Sequence, residues 1–457
     1  MSKTTARLSS LLVVPLLLVL AGTSGALVAP AGHDATMLRL IRSLGAQTAP
    51  AAEGGERSVP RARCGHGSAP ETGLQGEVPA ADVTSGRATH PYTCNLQQLN
   101  APLGEGAGLQ AAYYKSCAYY AVLGTGVRVV DVTNRAHPRI TTTLTSPAML
   151  DPWESLKVTE KRGLLAAVEG TVSGPLFFDV YDVSKDCTKP VLKSSMPMNT
   201  LGHEGNWSQD GTIYYATSVG VNLLTAIDVK DPAAPSIITI VPLPVTTGHG
   251  LSTNAAGTRL YTVDSGVGGR TGVLIYDVSA IKARQLGAQP TLLSSLRWSD
   301  GAFSQHTIPV IAHGHPYLIE ADEHSYGGAR VIDIADDTKP ATVSHIRTEI
   351  QLSQNATRRS ETKPDTQGGF GYNFHYCNVD RLIDPTALAC SSRASGVRVF
   401  DIRNLLKPKE IAYLNPVGEF TAQVRLDAAR GELWTTDGTH GLIIAKFTNG
   451  AWPFRSR

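Results

Sequence analysis

The 457-residue sequence predicts an all-β fold, a seven-bladed β-propeller of four-stranded antiparallel blades. Three observations carry that expectation: a recurring strand-Asp-turn-Pro segment, tight Xaa-Gly turns ahead of it, and short β-prone runs on both sides. The recurring segment reads GVRVVDVTNRAHP from Gly126, LFFDVYDVSKDCTKP from Leu176, LLTAIDVKDPAAP from Leu223, GVLIYDVSAIKARQLGAQP from Gly272, GARVIDIADDTKP from Gly328 and GVRVFDIRNLLKP from Gly396. A seventh copy, GLIIAKF from Gly441, lacks the Asp and the Pro. The aspartates Asp131, Asp182, Asp228, Asp277, Asp333 and Asp401 lie roughly 45 to 70 residues apart, within or just above the period of a four-stranded blade.

Within one unit the strands follow in order. A short run such as ESLKV, HEGNWS, HGLST or FTAQV is the innermost strand a. An Asp-Gly, Ala-Gly or Arg-Gly turn then leads into strand b, as in DGTIYYAT, AGTRLYTVD, RGLLAAVE and RGELWTTD. The recurring segment is strand c, and runs such as SIITIVPL and TVSHIRT after the proline are strand d. Seven such blades close a ring that exposes no sheet edge. The first and last copies are incomplete, so an N-terminal strand is expected to complete the final blade.

The chain starts with Lys3 and Arg7, an apolar run from Leu11 to Leu20, and small residues reaching Ala26, the pattern of a secretory signal peptide over 1–26 with cleavage as late as 31. The apolar run is about half of the ~20 residues a spanning helix needs, so no integral membrane segment is expected after signal cleavage. Residues 27–110, rich in Ala, Gly, Pro and Ser without periodicity, read as a linker or rim decoration, and 111–457 as the propeller. The expected location is secreted or extracytoplasmic, in a bacterial periplasm or at the cell surface. A formal net charge of +2 gives no sign of a polyanion, so no nucleic-acid partner is expected. GVGGR at Gly266 is glycine-rich but lacks the βαβ context of nucleotide binding.

Six cysteines in an exported chain are expected to pair. The propeller register suggests which. Cys377 and Cys390 flank one a-to-b hairpin, Cys117 begins a second strand while Cys187 sits in the next blade's c-to-d turn, and Cys64 and Cys94 remain.

The GVRVVDVTNRAHP-type segments resemble the LVIVD-repeat family of secreted or surface-exposed bacterial β-propellers, over roughly Cys117 to Phe447. The resemblance implies architecture rather than activity.

The repeated aspartates are expected to be structural, each accepting backbone N–H bonds in the turn after strand c. The histidines point to chemistry. His203 in GHEGNWS, His249 in GHGLST, His306 in SQHTIPV and His375 in YNFHYCN each stand at or near the start of an innermost strand, which places four imidazoles at one mouth of the central channel. Glu154 takes the matching place in the second blade, and Glu204 stands beside His203. The ends of the second strands bring Glu169, Asp264, Asp322 and Asp437, with His324 just beyond, to the same face as a second shell. Imidazoles with carboxylates suit a transition metal such as Zn, Cu, Ni or Fe. Equally, each imidazole could tie its own blade in place through a carboxylate or backbone group. The expected function is a binding or interaction scaffold whose partner is an unidentified small molecule or protein. Two alternatives stand beside it: a metal-dependent hydrolase or oxidase with Glu154 or Glu204 as general base, and a cell-envelope adhesion protein with a purely structural channel.

Overall fold

The computed structural model describes residues 56–104, 106, 110–170, 176–198, 202–218, 222–244, 248–266, 271–324, 326–361, 371–416 and 422–454. The expected signal peptide lies outside them. Seven antiparallel sheets form the ring. Blade 1 comprises Ala111–Tyr114, Cys117–Val122, Gly126–Asp131 and Arg139–Leu144, and blade 2 comprises Lys157–Thr159, Leu164–Val168, Phe177–Asp182 and Val191–Pro197. Blade 3 is Glu204–Trp207, Ile213–Thr217, Leu223–Asp228 and Ser236–Pro242, and blade 4 is Gly248–Thr253, Arg259–Asp264, Thr271–Asp277 and Thr291–Trp298. Blade 5 is Ala302–Ala312, His315–His324, Ala329–Asp333 and Ala341–Ile346. Blade 6 is Cys377–Val379, Ala387–Ser392, Gly396–Asp401 and Lys409–Asn415, and blade 7 begins with Arg425–Asp427, Glu432–Asp437 and Gly441–Phe447.

The N-terminal part enters the ring. Leu96–Gln98 pairs with Gly441–Phe447 as the outer strand of blade 7, and Tyr92–Cys94 adds a fifth strand to blade 6. The propeller therefore starts upstream of the boundary expected at residue 111, and the segment read as linker or decoration supplies two strands. Further upstream the chain is bonded to the ring: Val59 N–H donates to Arg347 O, and Arg358 pairs with Glu77 at 2.6 Å.

Apolar seams run between neighbouring blades. Between blades 2 and 3, for example, Phe178 and Val180 meet Trp207, Tyr214 and Ile227. Between blades 6 and 7, Val399 and Leu414 meet Leu433 and Ile443. Each sheet is covered on both faces, which is why strands such as Ala387–Ser392 and Glu432–Asp437 are buried throughout rather than alternating.

The recurring aspartates act within their turns. Asp131, Asp182, Asp228, Asp277, Asp333 and Asp401 each accept, through Oδ1, the backbone N–H two residues on, at 2.8 to 3.1 Å. Such a side-chain bond closes the turn and sets the departure of strand d. Disulfides join Cys64 to Cys94, Cys117 to Cys187 and Cys377 to Cys390, the pairs suggested by the register.

Candidate functional site

The hub of the ring is assembled from the starts of innermost strands, each held by backbone bonds. Glu154 N–H donates to His203 O at 3.0 Å, and His203 N–H donates to Thr217 O at 3.0 Å. Ser155, next to Glu154, donates its hydroxyl to Val168 O at 2.9 Å and accepts from Val168 N–H at 3.0 Å. His375 N–H donates to Ser391 O at 2.8 Å. Four segments from blades 2, 3, 4 and 6 thus carry Glu154, His203, His249 and His375 to one point.

The carboxylate of Glu154 is the centre of that point. His375 Nε2 lies 2.9 Å from its Oε1, while His249 Nε2 and His203 Nε2 lie 3.2 and 3.3 Å from its Oε2. Glu323 completes the group, with Oε1 3.5 Å from His375 Nε2 and Oε2 3.7 Å from His249 Nε2. All five are buried, His203 the most open at 8% exposed. They therefore sit inside the hub rather than at an open mouth. Two aromatic rings pack on the histidines: Trp153 on His203 at 5.3 Å and Phe303 on His249 at 5.2 Å between centroids. Both carry left-handed backbone angles, φ +43° and +59°, a conformation bulky residues adopt only when their surroundings impose it.

His249 Nδ1 lies 3.0 Å from Gln305 O, so this nitrogen carries the proton and donates it to the carbonyl. Its Nε2 is within ion-pair distance of Glu154 yet makes no hydrogen bond, and the same holds for Glu154 Oε2 and Glu323 Oε2. The electrostatics are correspondingly strong. Burial works against the Glu154 carboxylate, but His249, His203 and His375 outweigh it and hold Glu154 well below the usual range. Burial alone would depress His375, yet its bonds to Glu154 and Glu323 raise it to about 9. Burial pushes Glu204 up to about 7, with Glu154 adding to the rise and Lys157 offsetting part of it.

The other expected site residues lie elsewhere. Glu204 pairs with Lys157 at 2.9 Å, beside the group but turned from its centre. His306 stands further along the channel, its Nε2 3.0 Å from Cys377 O, and burial depresses it to about 3, leaving a neutral ring. Its displacement follows from register. Gly248 pairs with Asp264 and Ser304 with Asp322, so the counterpart of His249 in blade 5 is Gln305, and His306 is one residue off. One residue in a strand exchanges the two faces.

The carboxylates expected to orient the histidine rings make other contacts. Asp322 is bound to Arg330, which also holds Asp300 at 2.8 Å and Glu320 at 3.4 Å. Asp264 pairs with Arg297, Asp437 with His440 at 2.7 Å, and Glu169 Oε2 accepts from Phe177 N–H at 3.3 Å. His324 ends its strand, and its side chain lies outside the described ones. The carboxylate that does reach the histidines is Glu323, the residue between Asp322 and His324. The signal for it was strand alternation: Asp322 shares a face with Glu320 and Leu318 toward blade 4, which sends Glu323 to the opposite face, toward blade 6 and His375.

Beside the group, on the channel side, lies a cavity of about 210 Å³ lined by Lys157, Glu204, Asn206, His306, Tyr376 and Gln423 among others. A wider hollow of about 610 Å³ opens on the face of the a-to-b hairpins, and Gln209, Pro309 and Leu382 line both spaces.

No protein-family model and no curated protein matches this chain. Solved structures similar to it are propellers of low identity. The periplasmic gluconolactonase PpgL of Pseudomonas aeruginosa matches with a TM-score of 0.54 and 12% identity, over 79% of this chain and 95% of that one. A putative 6-phosphogluconolactonase of Bacteroides fragilis gives 0.51 and 10%, over 75% and 87%. The Kuenenia stuttgartiensis hydrazine synthase gives 0.51 and 13%, over 75% and 95%. Likeness at this level concerns the fold alone.

Proposed function

We propose that this chain is an exported β-propeller of the LVIVD-repeat kind that carries a transition metal at its hub and presents it to a small molecule in the channel. One observation carries the reading: three imidazole Nε2 atoms and two carboxylates converge in a buried site at spacings of 2.9 to 3.7 Å. A charge-assisted N–H···O bond is about 2.7–2.9 Å long. Two donors held about 2.0–2.2 Å from one ion, at ordinary coordination angles, stand about 2.8–3.6 Å apart. Most of the spacings here fit the second pattern, and His249 adds the Nδ1–H···O=C bond that orients metal-binding imidazoles. Imidazole with carboxylate suits Zn, Cu, Ni or Fe. Three disulfides support an oxidising, extracytoplasmic setting, and among the described residues no helix is long and apolar enough to cross a membrane.

The cavity beside the hub favours a chemical role as the second reading. When bound, such a metal activates water or polarises a substrate oxygen, which would serve hydrolysis or oxidation. Lys157 and the neutral His306 would then position the substrate.

Elemental analysis of protein purified without an affinity tag, wild type beside His249→Ala, tests the proposal. Stoichiometric metal in the wild type, reduced in a variant whose circular dichroism is unchanged, is the expected result. A wild type that retains none of Zn, Cu, Ni or Fe after loading with each would sink it and leave the scaffold or adhesion roles.

A further inference from the structure

We infer that the hub is built for two metal ions, bridged by the carboxylate of Glu154. This rests on the proposed metal site and specifies its nuclearity. The two oxygens of Glu154 serve different partners. Oε2 faces His203 and His249 at 3.3 and 3.2 Å, whereas Oε1 faces His375 at 2.9 Å. Two ligand groups follow, Glu154 with His203 and His249, and Glu154 with Glu323 and His375, and each brings its donor atoms within 4.8 Å of one another.

Glu323 repeats the division. Its Oε1 faces His375 and its Oε2 faces His249, so a second carboxylate also spans both groups. Two carboxylates between two sets of terminal imidazoles match a pair of ions about 3.5–4 Å apart, the separation at which a carboxylate bridges. A single ion bound by His203 and His249 would leave Glu154 Oε1 and Glu323 Oε1 facing His375 without it.

The unmet atoms agree. His249 Nε2, Glu154 Oε2 and Glu323 Oε2 are buried without a hydrogen bond, and a cation among them would satisfy all three. The contact of His249 Nδ1 with Gln305 O turns Nε2 toward the two carboxylates. Nearby, Lys157 pairs with Glu204 at 2.9 Å. The pair of ions would take an oxygen ligand between them, a hydroxide or the oxygen of a small substrate entering from the cavity.

The test is the metal stoichiometry of chelator-stripped protein reloaded with Mn(II) or Co(II) and passed through gel filtration. Two ions per chain are expected in the wild type, one in His203→Ala, one in His375→Ala and none in Glu154→Ala. The Mn(II)-loaded wild type should give an exchange-coupled electron paramagnetic resonance spectrum. Saturation of the wild type at one ion would overturn the inference and leave the mononuclear site standing. Two magnetically independent ions would overturn the bridge. Binding of none here, together with no retention of Zn, Cu, Ni or Fe, would remove both readings. The wild-type result decides the matter even if a variant fails to fold.

Discussion

Gly250 fixes the partner of the best-oriented imidazole in the hub. A Cβ at this position would stand 2.6 Å from His306 Cβ and closer still to the Gln305 carbonyl oxygen, so only glycine lets blades 4 and 5 approach this closely. That approach delivers the Gln305 carbonyl to His249 Nδ1 at 3.0 Å and thereby aims Nε2 at Glu154. Outer bonds of this kind are worth about 10- to 100-fold in metal affinity. Gly250→Ala should therefore still load metal but hold it that much more weakly in a chelator competition. Unchanged affinity would show that His249 needs no carbonyl to orient it.

At the scale of elements, the ring is closed by a strand from the other end of the sequence. Leu96 is 3% exposed and belongs to the seam between blades 6 and 7, packed with Val397, Leu414 and Phe447. Truncating a buried leucine costs about 2–5 kcal/mol. Leu96→Ala should lower the free energy of urea unfolding by that amount while Cys64–Cys94 stays formed. A loss below about 0.5 kcal/mol, the range of a surface change, would mean that closure does not rest on this strand. The strand was foreseeable because the last copy of the repeat is one strand short. The blades themselves were legible for a similar reason, since six of the seven write the same Asx turn and proline into their sequence. The site was legible only in part. His203, His249 and His375 stand at comparable strand starts, but His306 imitates them in sequence while the pairing of Ser304 with Asp322 places it one residue out of step. Glu323 was hidden for the converse reason. Asp322 occupies the expected register position but is drawn to Arg330, and the carboxylate that matters lies on the other face of the strand end. Short-range pattern reveals which strand ends come near the hub, whereas which of their residues face it depends on bulges and on competing arginines.

At the scale of the whole molecule, the two ends of the channel differ. On the side of the loops that lead into the innermost strands, Trp153 and Phe303 lie against His203 and His249. On the opposite face the long hairpin of Ala302–Ala312 and His315–His324 is clamped to blade 6: Ile311 N–H donates to Leu382 O at 2.8 Å, and Asp384 N–H donates to Ile311 O at 2.7 Å. Those bonds hold Leu382, which with Gln209 and Pro309 lines both the outer hollow and the inner cavity, as a candidate neck between them. A small ligand entering from the hairpin face would meet the half-exposed Ile311 and Ile383 first and then Gln209, Pro309 and Leu382. Narrowing the neck should slow entry without disturbing the residues proposed to hold the metal. In Co(II)-loaded protein, Leu382→Trp should reduce the rate of azide binding on the order of tenfold in stopped-flow absorbance, as expected when association must wait for a side chain to move aside. Metal content should be unchanged and the final spectrum the same, because the substitution lies at the far end of the cavity. A rate that is indifferent to Leu382→Trp but rises in Trp153→Ala would place the entrance on the other face, and the hairpin hollow would then be a surface feature of the ring without a part in reaching its centre.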